Sequence, residues 1–141
     1  MKTFIIIITI IISGNLFAQP KFVKATSQGW AGGMCCRTGT DYAITISGTK
    51  KELESLKIKS VCIGGMKFES PRTTLISTKT GTSFSLLINC GYSYDSAEEN
   101  QSLIQKKPDS CNENCISYNK KLKEIKLKIT EVEALEFIAY P

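Results

Sequence analysis

Apolar and polar residues alternate with a period of two through most of the chain beyond its first eighteen positions. In residues 41–48, Tyr42, Ile44 and Ile46 share one side while Ala43, Thr45 and Ser47 share the other, the pattern of a half-buried strand. Residues 56–59 alternate in the same way and pass into Val61-Cys62-Ile63, apolar on both sides, so this strand is expected to run from a sheet edge into the interior. Gly64-Gly65 then marks a turn, and Met66-Lys67-Phe68-Glu69 resumes the period, which predicts a hairpin closed by Pro71. The threonine-rich segment 73–80 reads as an exposed strand. In residues 84–92, Phe84, Leu86, Ile88, Cys90 and Tyr92 fall on one face, which places Cys90 beside the large core residues. Ile125, Leu127 and Ile129 alternate with Lys126 and Lys128, and an apolar segment at 132–140 ends the chain, its period broken by Glu133 and Glu136.

Four stretches do not alternate. Residues 20–25 offer an edge strand, but Gly29-Trp30-Ala31-Gly32-Gly33-Met34 is too rich in glycine for regular structure and reads as a turn. Thr49-Lys50-Lys51-Glu52 has the spacing of a capping box, with room for a single helical turn. Residues 95–109 form one polar insertion in which Ser96-Ala97-Glu98-Glu99 is a second capping box, expected to give a short helix or a long ordered loop. Residues 111–115 read as a tight polar loop. About seven or eight short strands without a long amphipathic helix predict an all-β fold. The expected form is an antiparallel immunoglobulin-like β-sandwich stabilised by disulfides, with one short helix in the late insertion; a small barrel is second.

The first eighteen residues change the setting. Lys2 precedes the apolar run Ile5 to Ile12, and Ser13-Gly14-Asn15-Leu16-Phe17-Ala18 follows with small and polar residues. This is the build of a secretory signal peptide cleaved after Ala18, and the run is too short for a membrane-spanning helix. The expected organisation is a signal peptide at 1–18 and one domain at 19–141, secreted or periplasmic, with no membrane insertion after cleavage. Gln19, not Cys, follows the cleavage point, so no lipid anchor is expected there.

Composition narrows the chemistry. The formal net charge is +5 and the chain has no histidine. The absence excludes Ser-His-Asp and Cys-His nucleophile pairs and imidazole metal ligation. The lysines alternate with apolar residues in 57–59 and 126–128, as on the wet face of a strand, so no nucleic-acid partner is expected. The acids cluster in polar loops without a glycosidase pairing or a calcium-loop pattern, and no Gly-x-Ser-x-Gly elbow is present. No catalytic residue, cofactor or metal is therefore expected.

Six cysteines remain: Cys35, Cys36, Cys62, Cys90, Cys111 and Cys115. In an oxidising compartment they imply three structural bridges, with fifteen possible pairings. A bond between adjacent Cys35 and Cys36 is strained. Core strands holding Cys62 and Cys90 suggest a bridge between those two, leaving Cys35 and Cys36 for Cys111 and Cys115; a local Cys111–Cys115 bridge is the rival. Neither Cys-Cys nor Cys-x-x-x-Cys matches the Cys-x-x-Cys of thioredoxin-like enzymes. The candidate binding surface joins the glycine turn to the late insertion through Trp30, Arg37, Asp95, Glu98 and Glu99, because long loops on a rigid sheet carry recognition.

The run Gly32-Gly33-Met34-Cys35-Cys36-Arg37-Thr38-Gly39-Thr40-Asp41-Tyr42, with Val61-Cys62-Ile63-Gly64-Gly65 after it, resembles small exported proteins of the Bacteroidota. That resemblance implies a β-rich periplasmic or secreted domain and transfers no catalytic residue. The expected role is non-enzymatic binding, of a protein or a glycan, or a structural role at or outside the cell envelope. The rivals are an inhibitor or toxin-like disulfide scaffold and a thiol redox or metal-handling protein.

Overall fold

The computed structural model describes residues 19–32, 37–95 and 108–141. Along the chain lie β1 (Lys21–Gly32), β2 (Arg37–Gly48), helix α1 (Lys50–Ser55), β3 (Lys57–Ile63), β4 (Met66–Glu69), β5 (Arg72–Ser77) and β6 (Phe84–Asp95). They are followed by β7 (Asp109–Ser110), β8 (Cys115–Lys120), β9 (Lys123–Lys128), β10 (Glu133–Ala134) and β11 (Ile138–Ala139). One sheet has the order β10-β1-β2-β6-β5, with β11 also on β1; the other has the order β7-β4-β3-β8-β9. The pairings β1-β2-β6-β5 and β4-β3-β8-β9 are antiparallel throughout and match the A-B-E-D and C′-C-F-G sheets of an immunoglobulin-like sandwich. The all-β, immunoglobulin-like expectation therefore holds.

Alternation decides which way each strand faces. Ile44 and Ile46 of β2 are fully buried, and their cross-strand partners Ile88 and Leu86 of β6 are buried with them. From the other sheet come Val61 and Ile63 of β3, Phe68 of β4, and Ile116 and Tyr118 of β8. Tyr42 and Phe68 meet across the sandwich with ring centroids 6.0 Å apart. The bulge between Ile58 and Ser60 shifts the β3 register against β8, and it falls where the sequence pattern changes from alternating to doubly apolar. Helix α1 closes the end next to β2: the Thr49 hydroxyl accepts from the Glu52 amide, the Glu52 side chain accepts in return, and Leu53 is buried.

One expectation about the fold is overturned among the described residues. The glycine-rich segment 29–32 is not a turn but the last part of β1: Gly29 and Gly32 are held in extended pairing with β2, and Phe137 packs against Gly29. The segment from Cys115 is a central strand, β8, with little signal in the sequence, because Ile116 and Tyr118 alternate around Ser117 over too short a run to stand out. The one α-helix among the described residues is α1, at the capping box of Thr49 and Glu52 where a single helical turn is expected; most of the segment 95–109, expected as a short helix or a long ordered loop, lies outside the described residues. The apolar C-terminal segment does form strand, but as two short pieces, β10 and β11, both parallel to β1. Glu133 and Glu136 break the alternation there, and Leu135, Phe137 and Tyr140 remain exposed.

Candidate functional site

Strands β1, β2 and β6 are each twelve residues long, whereas those of the opposing sheet run to seven at most. Their ends pass beyond the core, and on the outer face they form a groove of about 720 Å³. Two glycines make its floor. A side chain at Gly39 would run into the Trp30 indole, 2.6 Å from one ring carbon, so the indole lies directly on that glycine. At Gly91 a side chain would meet the Asp41 carboxylate, which leans over it. Register places these residues in adjoining rows, Trp30 opposite Gly39 and Gln28 opposite Asp41, with Asp41 opposite Gly91. Arg72 and Asn89, themselves a cross-strand pair, close the side nearer β5, and Leu135 stands at the other edge.

The indole Nε1 is buried and has no hydrogen-bond partner among the described residues. An unsatisfied buried donor costs about 1–3 kcal/mol, so the ring is held here by its packing against the glycine despite that cost. Around it the groove offers a carboxylate, two amides and a guanidinium, with Gln28 steadied by donating from Nε2 to the Glu136 carbonyl at 3.3 Å.

Of the candidate residues, Trp30 lines the groove and Arg37 is exposed at the start of β2. Asp95 ends β6 directly opposite Arg37, so the backbone brings these two together at the end of the sheet. Glu98 and Glu99 lie outside the described residues. Gln28, Asp41, Arg72 and Asn89 carry no signal in the sequence: each is an ordinary outward residue of a strand, and only strand order brings β5 beside β6 and β1 beside β2.

The cysteines correct the pairing. Cys62 is bridged to Cys111, with Cα atoms 6.1 Å apart, and not to Cys90; Cys90 and Cys115 carry free thiols. Cys35 and Cys36 lie outside the described residues. The reason is strand parity: Val61 and Ile63 take the core-facing positions, so Cys62 points out of the opposite face of its sheet, away from Cys90. With Cys111 bridged to Cys62, neither Cys35 nor Cys36 takes it, and the rival Cys111–Cys115 bridge is also not formed.

Burial, with the nearby Asp41 charge adding to it, pushes the Cys90 thiol up to about 12. At pH 8 roughly one molecule in ten thousand then carries its thiolate, which is the reactive form. Cys90 should therefore resist alkylation by iodoacetamide in the folded protein and react only in denaturant; rapid native labelling at Cys90 would contradict this. Tyr42 and Tyr118 are also raised, chiefly by burial. All three groups are shifted upward, so the folded state holds its protons longer than the unfolded one. That stability is fully present below the unfolded values, about 9 for the thiol and 10 for the phenols, and is lost as pH climbs past them. Tm should hold level from pH 7 to about 8.5 and decline above pH 9; a level Tm through pH 10.5 would refute the assignment.

No family model, curated protein or solved structure matches the chain. No helix among the described residues is long and apolar enough to cross a membrane, and no three or more of their Cys, Asp or Glu side chains are placed so that they could hold a metal ion.

Proposed function

We propose that the chain is an exported, non-enzymatic binding domain that holds a glycan in the Trp30 groove. The observation that carries this reading is the indole laid on Gly39 beside Asp41, Asn89, Gln28 and Arg72. A sugar ring has an apolar C–H face and a rim of hydroxyls that both donate and accept. An indole offers a broad apolar body for the face, and planar amide, carboxylate and guanidinium groups match the rim. The groove volume lies within the range of about 300–1,000 Å³ common for small-molecule sites. Export accords with the Cys62–Cys111 bridge, since disulfides persist in oxidising compartments, and with the signal-like residues 1–18. Secreted or periplasmic placement is part of this proposal.

The chain contains a single tryptophan, so indole emission reports the groove directly. Titration with a panel of soluble oligosaccharides should shift or quench that emission. Trp30→Ala should weaken binding, followed by calorimetry, by tenfold or more, or about 1.4 kcal/mol. Asn89→Ala and Arg72→Ala, both exposed, should weaken it without changing Tm. An unresponsive emission across the panel, or unchanged affinity in Trp30→Ala, would remove this reading.

A further inference from the structure

The opposite sheet carries a second constellation, and it does not rest on the glycan reading. Cys62 of β3 and Cys115 of β8 are directly opposed in the antiparallel register. Such opposed positions have Cα atoms about 4.5–5.5 Å apart, inside the range of about 4.4–6.8 Å over which a disulfide closes. Yet Cys62 is bonded to Cys111, at a Cα separation of 6.1 Å, and Cys115 is unbridged. Val61 and Ile116 fill the core, so Cys62 and Cys115 both emerge on the outer face. There they line, with Cys111, a hollow of about 360 Å³. Cys62 has two cysteines within reach and is bonded to one of them.

We propose that Cys62, Cys111 and Cys115 form a thiol–disulfide exchange site, in which Cys115 displaces Cys111 from Cys62 and presents the Cys111 thiol to a disulfide substrate. In the first step Cys115, having released its proton to solvent, attacks the Cys62 sulfur. The Cys62–Cys115 bond forms, the Cys62–Cys111 bond breaks, and the electron pair leaves on Cys111. In the second step the Cys111 thiolate attacks a disulfide R–S–S–R, giving Cys111–S–S–R and releasing RS⁻. The number of disulfides is conserved at each step, and the substrate disulfide R–S–S–R, which supplies the oxidising equivalent for Cys111, is the one reagent consumed.

Two features suit the segment to this exchange. Its frame does not depend on the sulfur bond: the Cys111 amide donates to the Gly65 carbonyl at 3.0 Å, and the Asn114 side chain accepts from the Gly64 amide at 3.2 Å. Cys111 therefore keeps its place when its partner changes, next to the exposed Asn112 and Glu113. The cross-strand row also runs Lys67, Cys62, Cys115, Lys128, and Lys126 lines the hollow. Lysines thus flank the row of sulfurs along which the bridge would move.

The test is to incubate the folded chain with glutathione disulfide at pH 8, quench in acid and map the bridges by non-reducing peptide mass spectrometry. A glutathione adduct on Cys111 together with a Cys62–Cys115 peptide is the expected result. In Cys115→Ser the Cys111 adduct should fall by tenfold or more, and in Cys111→Ser a Cys62–Cys115 bridge should form throughout the sample. An adduct on Cys115 alone with Cys62–Cys111 intact, no adduct at either position, or Cys115 bridged to Cys35 or Cys36 would each overturn the proposal. The wild-type map decides the matter even if a variant does not fold.

Discussion

Cys62→Ala is expected to lower stability by about 4 kcal/mol, the largest loss from any single cysteine. The bridge it removes spans 49 residues from β3 to the segment after β7, and chain-entropy reasoning for a loop of that length gives about 4 kcal/mol. For a domain of this size the corresponding fall in Tm is roughly 10–20 °C. The bridge lies outside the core, so native packing contributes little to the loss. Most of the effect comes from the greater freedom of the unfolded chain. Thermal unfolding with and without reductant checks the value: reduced wild type and Cys62→Ala should agree within about 1 kcal/mol. Cys111→Ser distinguishes bridge from residue, because a Cys62–Cys115 bond formed in its place closes a loop of nearly equal length and retains most of the stability. A loss in Cys111→Ser equal to that in Cys62→Ala would mean that Cys115 does not substitute.

Ile44→Ala should cost a comparable amount that no bridge can offset, about 2–5 kcal/mol in urea unfolding. Ile44 sits at the centre of β2, with Ala25 of β1 on one side and Ile88 of β6 on the other. It has no exposed surface, and both neighbours belong to the buried core cluster. Removing its outer carbons leaves a void between two sheets whose backbone is fixed by hydrogen bonding on both sides of the strand, so collapse around it is limited. Thr45, one residue along, points to the outer face, and Thr45→Ala should change stability by no more than about 0.5 kcal/mol. Equal losses at the two positions would show that the strand does not face as described.

The contrast between Ile44 and Thr45 was legible in the sequence, because a two-residue period carries its own orientation. The same rule misled at Cys62. Val61-Cys62-Ile63 is apolar at all three positions, so alternation sets no parity there; Val61 and Ile63 join the core cluster, while Cys62, though buried, lines the hollow on the far face of the sheet. At Trp30 the glycines pointed to a turn. In the structure the neighbouring Gly39 serves instead to let an indole lie flat on the sheet, a use of a missing Cβ that is visible only once the partner strand is known. The capping box at Thr49 and Glu52 was fully readable, because its two hydrogen bonds join residues three apart.

By itself, then, the sequence determined what depends on near neighbours: strand faces, the hairpin at Gly64-Gly65, the single helical turn and the all-β class. Tertiary structure alone decided which strands lie side by side. It brought Arg72 and Asn89 of β5 and β6 to the groove that Trp30 and Asp41 occupy from β1 and β2, and it set Cys115 across from Cys62. Those placements follow from sheet order and register, which arise from the packing of two whole apolar faces against each other and are written in no short stretch of the chain.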